Sequence, residues 1–168
     1  MVVNFGSGPI VGKDLEARAR FAALGAIWSD QCGGQPYPNA DELFVTDFPE
    51  LMPFCLSARI EAPEGVLLVD LCGDEARRVL DCDPIGSRPE LEEADAPLAW
   101  IGAVYAVARR LVGPGPVTIH HGRRTALHLP YVERGGKRVR TVLTMLAIDI
   151  RPEALGPPLG KVITLRPS

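Results

Sequence analysis

The chain has 168 residues, 46% of them hydrophobic and 23% charged, which suits one globular domain with a sizeable core. Its formal net charge of −3 gives no long-range attraction for a phosphate backbone, so nucleic acid is not expected as a main partner. The longest apolar stretch, 97–112, is interrupted by Arg109 and Arg110 and is shorter than the roughly 20 residues that span a bilayer. No secretory leader is recognisable at the start, so a cytoplasmic location is expected.

The first predicted elements are a flexible N-terminus, residues 1–13, and an amphipathic helix, residues 14–34. Asp14 can cap the helix, and Gly33 and Gly34 can end it. Hydrophobic residues recur at steps of three and four and form one apolar face: Ala17, Phe21, Leu24, Trp28 and Cys32. That face either packs on the protein's own sheet or, through Phe21 and Trp28, forms a surface for a partner protein.

The middle of the chain predicts two strands and two helices. After a stretch broken by prolines, two strands are joined by a turn at residues 63–65. A short helix then starts at Asp74. A longer helix covers 97–112 and ends at Gly113 and Pro114.

The last part of the chain predicts three strands between residues 116 and 150, separated by turns at Gly122 and at Gly135. Strands joined by tight turns pair antiparallel, and helices on one face of the sheet would hide its apolar side. The predicted fold class is therefore α+β, with a five-stranded antiparallel sheet and helices packed on one face. Residues 151–168, rich in proline and glycine, are predicted to be a tail that crosses the surface or hangs loose.

Few residues suggest a catalytic or metal site. The cysteines form no CxxC pair and are expected to be reduced, mostly buried thiols: Cys32, Cys55, Cys72 and Cys82. Neighbouring strand residues such as His120 and His121 point to opposite faces, so they, like His128, are expected to be exposed or half-buried histidines rather than metal ligands. The carboxylates between residues 70 and 83 lack a histidine partner or a nucleophile elbow. We therefore expect no enzyme activity and no metal.

Basic side chains cluster near the two turns of the last three strands. These residues are Arg123, Arg124, Arg134, Lys137 and Arg138. They could form a patch that binds an anion. Charged residues at a hairpin tip also keep a sheet edge from pairing with other chains, and we favour this interpretation.

Over residues 20–150 the chain resembles PAS domains, and more closely a bacterial PAS-like family once described as a domain of unknown function. The resemblance is carried by the helix with Trp28, by the segment from Gly73 to Gly86, and by residues 129–131 at the start of the last hairpin. It implies a PAS-like domain at residues 35–150. In such a domain the sheet and helices enclose a small apolar cavity, and the role is sensing or protein contact.

The resemblance also bears on cofactors. The flavin-binding type has a motif similar to "NCRFLQ" around its reactive cysteine, and neither "DLCGDEA" nor "LDCDPIG" matches it. A common haem-binding type takes its axial histidine from the helical region before the third strand, and residues 73–112 contain no histidine. Flavin and haem are therefore disfavoured, and no other cofactor is identified.

The leading hypothesis is a stand-alone PAS-like sensory or adaptor domain in bacterial signalling. It would act by contact with a second copy or with another protein, with or without a small apolar ligand. Two alternatives remain open at this point. One is a small enzyme that uses a histidine or a thiol such as Cys72 or Cys82, and the other is a structural interaction module without a ligand.

Overall fold

The structure is a computed structural model that describes residues 12–61, 65–110, 115–136 and 138–165. The predicted flexible start, the turn at residues 63 and 64, the end of the long helix at Gly113 and Pro114, and Lys137 lie outside these ranges. The α+β class is confirmed, since helices surround one mixed sheet. No described helix combines the length and the apolar character needed to cross a bilayer.

Within these ranges, the regular elements in chain order are three helices and six strands. They are α1 (Gly12–Cys32), β1 (Cys55–Glu61), β2 (Val66–Cys72), α2 (Asp74–Leu80), α3 (Ala99–Arg110), β3 (Val117–His121), β4 (Arg124–Val132), β5 (Val139–Ile148) and β6 (Lys161–Leu165). Short 3-10 turns connect them, among them Pro89–Leu91 before α3 and Pro152–Leu155 before β6. The order of strands in the sheet is β2-β1-β5-β4-β3-β6.

Helix α1 forms where its apolar spacing predicts it, although it begins at Gly12 rather than at Asp14. It ends at Gly33 and Gly34, whose positive φ angles of 56° and 84° suit glycine and terminate the helix. The predicted cap at Asp14 is wrong. Asp14 lies inside the helix, where its buried carboxylate pairs with Arg151.

The sheet has one strand more than predicted. Strands β1 to β5 are antiparallel to their neighbours, as expected, but β6 pairs parallel with β3. A parallel partner requires a crossover, and residues 149–160 supply it by passing over the α1 side of the sheet. The residues predicted to be a tail therefore contain an edge strand. Its β-branched run, Val162 to Thr164, is the local reason.

The helices cover both faces of the sheet, which corrects the prediction that they cover one. On one face, α2 and α3 pack against Val142 and Leu146 of β5. On the other face, α1 packs against Leu143 and Met145 of the same strand. Alternate side chains of β5 are buried on opposite faces of the sheet. The strand is therefore apolar along most of its length, because helices cover both faces.

The outer edge of β2 is covered by the segment before α3. The amide of Val69 donates to the carbonyl of Ser87 at 3.0 Å, and the amide of Gly86 donates to the carbonyl of Val69 at 2.9 Å. The amide of Leu67 donates to the carboxylate of Glu90 at 2.9 Å. These bonds satisfy backbone groups that an edge strand would otherwise leave open.

Candidate functional site

A cavity of about 630 Å³ lies between α1, the β3–β6 side of the sheet and the crossover that leads to β6. This volume falls within the range of about 300–1,000 Å³ that is usual for small-molecule sites. Large apolar side chains line much of it: Phe21, Leu127, Leu155, Leu159 and Val162. The cavity can therefore hold a small molecule with an apolar body.

The floor of the cavity is formed by one face of the sheet edge. Thr118 and His120 of β3 line the cavity together with Val162 and Thr164 of β6. Their neighbours on the opposite face, such as Ile119, belong to the core under α3. Since side chains alternate along a strand, pairing β6 with β3 is what widens the floor.

One wall is helix α1, which presents small side chains at this place. Ala22, Ala26 and Ser29 line the cavity and are exposed, and Gly25 lies between them. A Cβ on Gly25 would come within 3.1 Å of the Leu159 side chain, so helix and crossover approach closely there. Small residues on this face of α1 leave the space that the cavity occupies.

The larger residues of α1 are buried beside the cavity. Phe21 and Trp28 are only 8% and 7% exposed, and the indole Nε1 of Trp28 donates to the carbonyl of Pro130 at 2.9 Å. The interpretation of Phe21 and Trp28 as a partner surface is therefore wrong for this structure. Their apolar face packs on the protein's own sheet.

The other wall is the crossover, which is fixed to α1 by a buried ion pair. The guanidinium Nη2 of Arg151 lies 3.3 Å from Oδ2 of Asp14, whose side chain is 2% exposed. Prolines at 152, 157 and 158 restrict the backbone that follows. This wall is therefore held in place at its start.

Three ionisable side chains of the described residues line the cavity: Arg18, His120 and Glu153. The guanidinium of Arg18 lies against Gly156, where a Cβ would come within 3.1 Å of its Nε, Cζ and Nη2 atoms. Glu153 is exposed at the rim, and Nδ1 of His120 lies 3.2 Å from the hydroxyl of Thr125. Burial lowers the pKa of His120, an effect that Glu153 opposes. His120 is therefore neutral near pH 7, and Arg18 supplies the positive charge.

This cavity was missed by the sequence interpretation. The small residues of α1 are visible in the sequence as "AALGAIWS", but small residues alone do not distinguish a cavity wall from a close helix contact. The cavity forms because residues 151–165 return to the sheet. Their proline and glycine content predicted a tail instead.

A second polar group lies on the opposite face, under α3. The hydroxyl of Thr144 is 2.6 Å from Nδ1 of His128 and 3.4 Å from the hydroxyl of Tyr105. All three side chains are buried, so the prediction of an exposed or half-buried histidine holds for His120 and His121 but is wrong for His128. Burial lowers the pKa of His128 to about 3 and raises that of Tyr105, so neither group ionises near neutral pH.

The proposed anion patch is divided between the two ends of β4. Arg123 precedes the strand and forms two hydrogen bonds with Asp149, while Arg134 and Arg138 follow the strand. Nine residues of strand separate the two groups by about 27 Å. Arg124, the first residue of β4, has its guanidinium carbon 6.0 Å from the centroid of the Trp100 ring. The described basic residues of the predicted patch therefore do not lie together, and Lys137 is outside the described residues.

The four thiols are not activated. Burial raises the pKa of Cys55 to about 12 and that of Cys72 to about 11, and it also raises the pKa values of Cys32 and Cys82. The thiolate is the reactive form, so higher pKa values lower reactivity. Within the described ranges, no three side chains from histidine, cysteine, aspartate and glutamate are grouped so that they could hold a metal ion.

Comparison of this chain with protein-family models, with curated proteins and with solved structures finds no match. Functional inference therefore rests on the geometry of the molecule.

Proposed function

We propose that the protein is a PAS-like sensory or adaptor domain that binds a small apolar ligand in the cavity beneath α1 and acts by protein contact. The observation that carries the proposal is the cavity of about 630 Å³ with its largely apolar lining. A cytoplasmic location, a place in bacterial signalling, and contact with a second copy or another protein belong to this proposal. It includes no flavin, haem or catalytic step.

The PAS-like part of the proposal is supported by the antiparallel strands β1 to β5 with α2 and α3 on one face. The cavity that carries the proposal, however, lies on the α1 face of the sheet, opposite to α2 and α3. Under α3, large buried side chains such as Leu56, Tyr105 and Val142 fill the space against the sheet. We therefore place the ligand between α1 and the sheet.

Binding there would be driven by removing apolar surface from water. Each 100 Å² of apolar ligand surface that is buried contributes about 2.5 kcal/mol. A ligand would also contact both α1 and the crossover, and so add to the ion pair and the close approach that already join them. Occupancy can therefore shift the population of positions that α1 adopts on the sheet. Helix α1 carries exposed side chains on its outer side, including Leu15, so such a shift can be read by a partner.

A thiol-dependent enzyme is the less favoured alternative, because burial raises the pKa of every cysteine. An interaction module without a ligand is the alternative that the following experiment addresses. It would leave the cavity without a role.

The test uses N-phenyl-1-naphthylamine, a neutral apolar dye whose fluorescence rises when it leaves water. Ala26 lines the cavity and is exposed, so Ala26→Trp should fill the site without disturbing the core. Ala23 is exposed on the same helix outside the lining, which makes Ala23→Trp the matched control. We expect the dye to bind the unsubstituted protein and the control equally, and Ala26→Trp at least about tenfold more weakly. Equal binding by all three proteins, or no binding, would overturn the proposal.

A further inference from the structure

We infer that the cavity is a site for an amphipathic anion, namely a straight-chain monocarboxylate whose head group binds Arg18 and whose chain lies on the sheet floor. This inference rests on the proposed function and adds the chemical class of the ligand. It follows from the charge, the position and the surroundings of one arginine.

Among the described residues, the guanidinium of Arg18 in the cavity wall has no charged partner. The side chain is half-buried and lines the cavity. Within the described part of the chain, no carboxylate lies within ion-pair distance of it and no hydrogen bond holds it. Two neighbouring arginines, by contrast, form ion pairs: Arg151 with Asp14 and Arg123 with Asp149. A carboxylate would therefore satisfy a donor group that this fold leaves open.

The position of Arg18 is set by backbone rather than by another charge. Its guanidinium rests against Gly156, whose φ of 78° is an angle that favours glycine. A side chain at Gly156 would displace the guanidinium. Because arginine presents two parallel N–H donors in a plane, a guanidinium held in this way matches the two oxygens of a carboxylate.

The remaining ionisable groups of the lining limit the orientation of the ligand. Glu153 is exposed at the rim, and it would repel a carboxylate placed near it. His120 is half-buried and neutral near pH 7, so it adds no competing cation. The head group is therefore directed to Arg18 and away from Glu153.

The apolar lining accommodates the rest of the molecule. Leu127 and Val162 belong to the floor, and Leu155 and Leu159 to the crossover wall. Together with Phe21, they provide apolar contact on three sides. A ligand with one charge and a hydrocarbon chain satisfies both parts of the cavity, whereas a fully polar anion satisfies only Arg18.

The experiment compares decanoate with decanol, which has the same chain and no charge, as competitors of the naphthylamine dye. Arg18→Gln removes the cation, Glu153→Gln removes the rim carboxylate, and Arg134→Gln is the control because Arg134 is exposed in the β4–β5 turn. We expect Arg18→Gln to weaken decanoate by about tenfold or more and Glu153→Gln to strengthen it by about twofold to fivefold. Decanol should compete equally in all variants, and Arg134→Gln should behave as the unsubstituted protein. Thermal unfolding of each variant verifies that it is folded.

Two further outcomes separate this inference from the proposed function. If decanoate and decanol compete equally, and Arg18→Gln changes neither, the anion site is refuted while the apolar site stands. If dye, decanol and decanoate all fail to bind, both are refuted. A gain of decanoate binding in Arg18→Gln would also refute the inference.

Discussion

His128 is a buried histidine whose proton binding is linked to folding. Its pKa is lowered by burial to about 3, against about 6.5 in an unfolded chain. Between these values the unfolded state binds more protons than the folded state. The free energy of unfolding is therefore greatest above pH 6.5 and falls as the pH drops towards 3, by at most about 1.4 kcal/mol per pH unit from this group.

We expect His128→Asn to reduce this pH dependence, because asparagine can keep a hydrogen bond to Thr144 but does not titrate. Urea unfolding between about pH 7.5 and pH 5 should show a loss of about 2 kcal/mol in the unsubstituted protein and a smaller loss in the variant. His121→Asn is the control, since His121 is partly exposed and its pKa is lowered by burial and by Arg124. Equal slopes for His128→Asn and the unsubstituted protein would contradict this assignment.

The ion pair between Asp14 and Arg151 provides a second prediction at the residue scale. Removing the guanidinium in Arg151→Met leaves a carboxylate that is 2% exposed without its countercharge. We expect a loss of about 3 kcal/mol in the free energy of unfolding. Arg140→Met breaks a pair with Asp41 in which both side chains are more than half exposed, and it should cost less than about 1 kcal/mol. Similar losses in the two variants, measured by urea unfolding, would show that burial does not distinguish the pairs.

At the scale of the elements, Gly102 allows α3 to approach the 3-10 turn Pro89–Leu91. A Cβ at this position would overlap the carbonyl of Pro89. Alanine normally stabilises a helix interior by about 1 kcal/mol relative to glycine. Here we expect Gly102→Ala to destabilise the protein by about 2 kcal/mol or more, because backbone must move.

The control for this substitution is Gly12→Ala in α1, where the added carbon would meet no atom of the described residues within 4 Å beyond its chain neighbours. It should change the unfolding midpoint very little. A neutral or stabilising effect of Gly102→Ala would mean that α3 and the turn adjust to the added carbon without loss.

Most of the secondary-structure elements can be predicted from the sequence. Helix α1 and the strands β1 to β5 follow from apolar spacing and turn residues, and they form at the expected places. Strand β6 was not predicted, because its pairing with β3 is a contact between distant parts of the chain. Burial of His128 and Trp28 likewise depends on which face a helix covers, and strand alternation alone does not specify that. The cavity forms only because β6 pairs with β3 and because α1 covers that face of the sheet. Neither contact can be predicted from a local sequence pattern.

At the scale of the whole molecule, one sheet serves two cores. Trp28 belongs to the core under α1, and Trp100 belongs to the core under α3. Both cores share strands β4 and β5, so neither face can lose its order without weakening the other. We expect a single cooperative unfolding transition.

Single-tryptophan variants test this expectation, since Trp28→Phe leaves a reporter under α3 and Trp100→Phe leaves one under α1. In each variant the urea midpoints from fluorescence and from far-ultraviolet circular dichroism should coincide. An earlier fluorescence midpoint in Trp100→Phe would mean that the α1 layer detaches first. Such a result would give α1 a separate stability, and the two faces would be independent units.

The two edges of the sheet differ, because the segment 86–90 forms hydrogen bonds with the outer edge of β2. Within the described chain, β6 has no neighbour on its outer side. Another polypeptide that extended the sheet at this edge would pair with β6, and two molecules joined through β6 would each use their own open edge. Such an association closes at a pair and cannot grow into a fibre.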